Sequence, residues 1–295
     1  MGIAELRGSI VAIVTPFKAN GEIDFEAFDR LVDFHIAQHT DGIVVCGTTG
    51  ETPTLTEDED AALIAHAVKR VNGRIPVIAG TGSNSTQECV VYTQKAASLG
   101  VDGVLIVAPY YNKPTQEGMY LHFSTVAKAV DVPVILYNVP GRTGSNISVK
   151  LALRLANEFK NIIGIKEAQG SLAVVTQLLA GRPQGFKVYS GDDFTSLSTN
   201  YLGADGCISV VANVIPGDFQ QMMALSMNGE VKKANEIFFK YQQLMDLMFI
   251  ESNPIPVKTA LAHMGLMEEV FRAPLCAMES KNKEALLLEL KKLGI

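Results

Sequence analysis

Eight short apolar runs recur along the chain, each followed by a stretch of helical periodicity. The runs are Ile10 to Thr15, Gly42 to Val45, Pro76 to Gly80, Gly103 to Ala108, Val132 to Asn138, Ile162 to Lys166, Phe186 to Ser190 and Gly206 to Val210. Each is close to continuously apolar, as parallel strands covered on both faces require. Between them, Phe28, Leu31, Val32 and Ile36 fall at helical spacing within Phe25 to His39. Thr56 with Glu59 three residues on reads as a capping box, ahead of Ala61, Leu63, Ile64, Ala67 and Val68. Thr86 to Leu99 and Gly118 to Val130 repeat the scheme. Eight such units predict an α/β fold, a (β/α)8 TIM barrel, over residues 1–225. The remainder, 226–295, exceeds one barrel helix and predicts a C-terminal helical extension. Gly217 to Asn228, Val231 to Phe249 and Pro256 to Leu293 read as its source of helices.

Composition narrows the partners. A net charge of -6 without a basic block argues against nucleic acid or an anionic membrane. It leaves room for anionic small molecules met by a local arginine. Cys46, Cys89, Cys207 and Cys276 are widely spaced, with no Cys-x-x-Cys pair and no His cluster, so neither a disulfide framework nor a zinc site is expected. A reduced, cytoplasmic setting follows. The N-terminus from Met1 lacks a basic-plus-apolar signal sequence, and no apolar stretch reaches membrane-spanning length.

Barrel chemistry collects in the loops after the strands. Lys166 ends the sixth run and is followed by Glu167-Ala168. An unprotonated amine there attacks carbonyls; a lysine that snorkels to water is an equally good account of the residue alone. Burial at the end of an apolar strand favours the neutral amine. Strand alternation turns Glu167 away from Lys166. Tyr137 ends the fifth run, one strand away, and a Lys-Tyr pair suits carbonyl chemistry. Gly47-Thr48-Thr49-Gly50-Glu51 follows the second strand and reads as a turn whose N–H groups cradle an anion, helped by the helix from Thr56. Tyr110 and Tyr111 on their own segment favour packing. Arg142, in a Pro/Gly-shaped loop, can clamp a carboxylate. Asp192 and Asp193 fit helix capping better than metal binding.

Together these segments spell a family. Gly47-Thr48-Thr49-Gly50-Glu51, Pro109-Tyr110-Tyr111-Asn112, Tyr137-Asn138-Val139-Pro140-Gly141-Arg142-Thr143, Gly164-Ile165-Lys166-Glu167, Ser190-Gly191-Asp192 and Asn253-Pro254-Ile255-Pro256-Val257-Lys258 occur in that order. The chain resembles the dihydrodipicolinate synthase family, within the pyruvate-dependent Schiff-base aldolases and lyases, over essentially its whole length. The resemblance implies condensation of pyruvate with aspartate 4-semialdehyde on the route to diaminopimelate and lysine, without metal or organic cofactor. It implies that Lys166 forms the imine, and that Thr48 links Tyr137 to a Tyr111 reaching into a neighbouring subunit. Thr49, Gly191 and Ile208 would line the pyruvate site, and Arg142 would meet the second carboxylate. A homotetramer built as a dimer of dimers is implied as well. Asn84, Glu88 and Tyr110 match a lysine-inhibition site between paired subunits, whereas Glu57, Asp60 and Thr52-Pro53 depart from the pattern of inhibited forms. The nearest alternative is another pyruvate aldolase or lyase, such as N-acetylneuraminate lyase or a 2-keto-3-deoxy sugar acid aldolase, but sialic acid lyases lack the arginine. A phosphate-sugar barrel enzyme or a non-catalytic binding barrel are the further alternatives.

Overall fold

The computed structural model describes residues 3–295; Met1 and Gly2, where the reading of the N-terminus begins, lie outside them. Eight parallel strands close on themselves in sequence order. They are β1 (Gly8–Ala12), β2 (Gly42–Val45), β3 (Val77–Gly80), β4 (Gly103–Val107), β5 (Val134–Asn138), β6 (Ile162–Glu167), β7 (Lys187–Ser190) and β8 (Gly206–Ser209). Closure runs through β1 and β8, with Ile10 opposite Ile208. The expected barrel is therefore present.

Side chains alternate between two apolar layers, as the pleat dictates. Ile10, Ala12, Val44, Ile78, Leu105, Ile135, Tyr137, Tyr189 and Ile208 fill the interior cluster. Val11, Ile43, Val45, Val77, Val104, Leu136, Ile165 and Val188 pack outward in the larger cluster shared with the helices. The helices start where polar caps stand. Thr56 and Glu59 form both halves of the predicted capping box, and Asp24, Ser85, Thr115, Ser148, Ser171 and Asp192 each accept from a backbone N–H three residues on.

Strand boundaries moved for identifiable reasons. β1 begins at Gly8 rather than Ile10, and the run beyond Ala12 leaves the sheet. Ile13 and Val14, beyond the end of β1, are apolar because they pack in the outer core. β3 and β5 begin after Pro76 and Pro133, which have no N–H to give a ladder; the carbonyls of both still accept, from Ile43 and Val104. The helix Pro216–Met227 spans residue 225. After it come Val231–Leu247, Ile255–His263 and Ser280–Leu293. Gly265 at φ 72 and Pro274 lie between the last two.

The added helices are tied to the mouth of the barrel. Lys258, wholly buried on Ile255–His263, pairs with the equally buried Glu51 just beyond β2. Its ammonium also lies 4.4 Å from the Phe17 ring centroid. Burial holds the Lys258 amine below its usual range although Glu51 pulls the other way. Arg272 donates to Gly21 and Thr54 carbonyls and grips both oxygens of Glu59 at 2.7 and 2.6 Å.

Removing one partner of a buried pair strands the other charge. Lys258→Met should lower the unfolding free energy by about 3–5 kcal/mol in urea titration, and adding Glu51→Gln should restore part of it. A loss below about 1 kcal/mol would assign the pair no structural weight.

Candidate active site

Lys166 lies near the C-terminal end of β6 and is 5% exposed. Its neighbours in register are Tyr137 on β5 and Tyr189 on β7. The two tyrosines differ. The Tyr189 hydroxyl donates to the Leu6 carbonyl at 2.9 Å and is wholly buried, which pushes its pKa up. The Tyr137 hydroxyl has no hydrogen-bond partner among the described residues, and its ring centroid lies 4.4 Å from the Lys166 amine. Only Tyr137 is free to exchange a proton with a ligand. No carboxylate pairs with Lys166 among the described residues, so the buried amine is not tied up in an ion pair.

Glu167 turns to the other face of the strand, as alternation requires. Its carboxylate accepts from Asn138 Nδ2 and the Gln169 N–H, both at 2.8 Å. Burial raises its pKa, opposed by these bonds. Asn138 in turn donates to Asn146 and accepts from the Ile147 N–H, which fixes the return of the Arg142 loop. Gly191 covers the lysine from β7. A Cβ there would stand 2.8 and 2.9 Å from Lys166 Cε and Cγ and 2.7 Å from Ala168 Cβ, so a side chain would displace the lysine. Ile208 is wholly buried in the barrel interior.

The loop after β2 is a tight one. Cys46 and Glu51 bracket it with φ of 54° and 55°, and Thr48–Gly50 form a single 3-10 turn. Gly80 makes room for it, since a Cβ there would be 2.2 Å from the Cys46 carbonyl oxygen. The expected backbone anion cradle is smaller than its sequence implied. The N–H groups of Gly50 and Glu51 donate to the Gly47 and Thr48 carbonyls within the turn. At the start of Glu57–Val71 the capping box takes the Thr56 and Glu59 N–H groups, and the carboxylates of Glu57, Asp58, Glu59 and Asp60 in the first turn disfavour an anion there. The threonine hydroxyls remain. Thr49, buried, accepts from Asn253 Nδ2 at 2.9 Å. Thr48 makes no hydrogen bond to Tyr137 or Tyr111 among the described residues, so one chain does not close that three-residue chain by itself.

Tyr111 is 88% exposed at φ 71°, which overturns packing as its role within this chain. Its N–H donates to the Thr143 carbonyl, beside Arg142. Arg142, on the one-turn helix Pro140–Thr143, is exposed and donates from Nη2 to the Asn253 carbonyl at 3.3 Å. Asn84 Nδ2 donates to the Tyr110 carbonyl at 3.1 Å, and Glu88, on the first turn of Thr86–Ser98, accepts from Ser83. Asp192 caps the helix Asp193–Tyr201, as expected. Asp193 does something the sequence did not announce: its buried carboxylate accepts from the N–H groups of Val210 and Val211 and so shapes the end of β8. Among the described residues, no group of three or more His, Cys, Asp or Glu gathers to hold a metal.

Comparison with known proteins gives the chain a family. The profile of the dihydrodipicolinate synthetase family matches residues 5–293. The 4-hydroxy-tetrahydrodipicolinate synthase of Thermodesulfovibrio yellowstonii is 51% identical over 98% of this chain and 99% of its own length. The crystal structure of dihydrodipicolinate synthase from Aquifex aeolicus superposes with a TM-score of 0.96 at 47% identity, covering 98% of each chain. The chloride-inhibited dihydrodipicolinate synthase from Acinetobacter baumannii, complexed with pyruvate, gives 0.96 at 46% identity, covering 98% of this chain and 99% of its own. The chain belongs to the dihydrodipicolinate synthetase family.

Gly191→Ala should leave the circular dichroism spectrum unchanged and slow borohydride trapping of a small keto acid on the Lys166 amine by up to about a hundredfold, the effect of misplacing a reacting group by about 1 Å. Trapping at the unaltered rate would show that the lysine does not need the space.

Proposed function

We propose that Lys166 carries pyruvate as an imine while the mouth of the barrel holds aspartate 4-semialdehyde. The overall reaction is the one the relatives' names carry, synthesis of 4-hydroxy-tetrahydrodipicolinate, and the protein is a Schiff-base-forming enzyme of that kind. The observation that supports the residue assignments most directly is the buried Lys166 amine against an unbonded Tyr137.

The unprotonated amine of Lys166 attacks the keto carbon of pyruvate, and water leaves. Loss of a methyl proton turns the imine into an enamine, whose carbon attacks the aldehyde. The amine of the second substrate then closes the ring on the imine carbon and releases Lys166. Tyr137 moves protons to and from these atoms, and Thr48 and Tyr111 carry them onward. The Thr49 hydroxyl serves the pyruvate carboxylate, with Gly191 and Ile208 lining the same pocket. Arg142 meets the carboxylate of the aldehyde, for which a fixed guanidinium fork is well suited.

Tyr111 works in a neighbouring copy on this reading, which its exposure supports; the assembly is a homotetramer made of two dimers. Asn84, Glu88 and Tyr110 would take lysine between paired copies. The helices from Val231 onward are an extension that braces the mouth. A cytoplasmic setting belongs to this reading and agrees with four unpaired thiols; among the described residues no helix is long and apolar enough to cross a membrane.

Borohydride reduction with pyruvate, followed by peptide mass analysis, should place a pyruvate-sized adduct on Lys166, and aspartate 4-semialdehyde should discharge the unreduced intermediate. Tyr137→Phe should keep its fold and form the adduct about 10²–10⁴-fold more slowly. No adduct on a folded protein would remove the covalent reading; unaltered trapping in Tyr137→Phe would remove the proton-transfer role.

A further inference from the structure

One residue touches both groups assigned to the two substrate carboxylates. Asn253 is 6% exposed and stands where the chain enters Ile255–His263. Its side-chain Nδ2 donates to Thr49 Oγ1 at 2.9 Å, and its backbone carbonyl accepts from Arg142 Nη2 at 3.3 Å. Asn253 Oδ1 is buried and has no hydrogen-bond partner among the described residues. Five residues on, Lys258 holds Glu51, two residues past Thr49. The same short loop is therefore gripped twice by one segment.

The direction of the Asn253 bond decides what Thr49 can offer. A threonine hydroxyl has one proton and two lone pairs. Asn253 can only donate from Nδ2, so it occupies a lone pair. No acceptor among the described residues takes the Thr49 proton. The hydroxyl is left as a donor in a nearly closed site, which suits an anion. Were an acceptor in the place of Nδ2, the hydroxyl would donate to it and present lone pairs to the substrate, and those repel a carboxylate. The unmatched Oδ1 argues against a purely structural asparagine, because a buried acceptor without a partner costs stability that an apolar residue would not.

We infer that Asn253 is a positioning residue that aims the Thr49 proton at the pyruvate carboxylate and, through its carbonyl, steadies Arg142 over the second carboxylate. This rests on the pyruvate reading above and makes Asn253 a determinant of selectivity for substrates with a carboxylate beside the carbonyl.

The test is a kinetic cycle on the full-length enzyme with Asn253→Ala, Thr49→Val and the double variant. Asn253→Ala should raise the pyruvate KM by about tenfold to a hundredfold, the worth of a hydrogen bond to a charged group, with kcat changed far less. Because Asn253 acts through Thr49, adding Asn253→Ala to Thr49→Val should raise the pyruvate KM by less than about threefold more. Asn253→Asp, nearly the same shape, covers the case in which alanine fails to fold; it should raise the pyruvate KM at least as much. Unchanged pyruvate KM in a folded Asn253 variant, or effects that multiply in full in the double variant, would overturn the inference while leaving the Schiff-base reading intact. A folded, unaltered enzyme that forms no adduct on Lys166 would overturn both.

Discussion

The site depends on one geometric constraint: successive residues of a barrel strand face opposite ways. On β6 this puts Lys166 at the mouth and Glu167 behind the sheet, one residue apart. A lysine and a glutamate placed side by side would pair and quench the nucleophile. The pleat separates them, and the glutamate finds Asn138 and the Gln169 N–H instead. It thereby becomes useful, because Asn138 continues to Asn146 and Ile147 and sets the loop that carries Arg142. A slip of one residue would exchange the roles of every residue on the strand. The outward packing of Ile165 against the helices is what prevents it.

The same constraint separates two tyrosines that look equivalent in a sequence. Both flank Lys166 in register, yet Tyr189 is bonded to the backbone leading into β1 while Tyr137 is unbonded. Alternation and strand order could be read from the chain, and with them the barrel and the placement of Lys166 beside Tyr137. Prolines and capping residues located most element starts. Long-range partners could not be read this way. Nothing local marks Glu51 as the counter-ion of Lys258, or Asn253 as the partner of Thr49, since 207 and 204 residues separate them. The family resemblance quoted Asn253 to Lys258 as a motif without giving it a task. Tyr111 illustrates the opposite case: its own segment suggested packing, and only the resemblance pointed outward, where the structure places it.

The C-terminal helices explain how a strained loop is held. Cys46 and Glu51 both adopt left-handed backbone angles, which non-glycine residues take at a cost of order 1–3 kcal/mol each. Such conformations persist when their surroundings over-determine them. Here the bracing is the buried Lys258–Glu51 pair, the Asn253–Thr49 bond and the Arg272 contacts to Thr54 and Glu59. A buried ion pair adds little net stability over an apolar replacement. Its better use is directional, since Glu51 must keep one orientation to satisfy Lys258. The added helices hold the loop after β2 from outside the sheet.

Charge recognition in this protein must then be local. The chain carries a net charge of -6, so its long-range field disfavours an anion such as pyruvate. At physiological ionic strength that field is screened beyond about 8 Å. Within that range the mouth presents Arg142 and a threonine hydroxyl whose proton is uncommitted. Donors held by the fold cost no reorganisation when the ligand arrives. Thr49 and Arg142 meet at Asn253, one through its side chain and one through its backbone. On the proposed reading, alignment of the substrates then falls to a single residue, 87 positions along the sequence from Lys166.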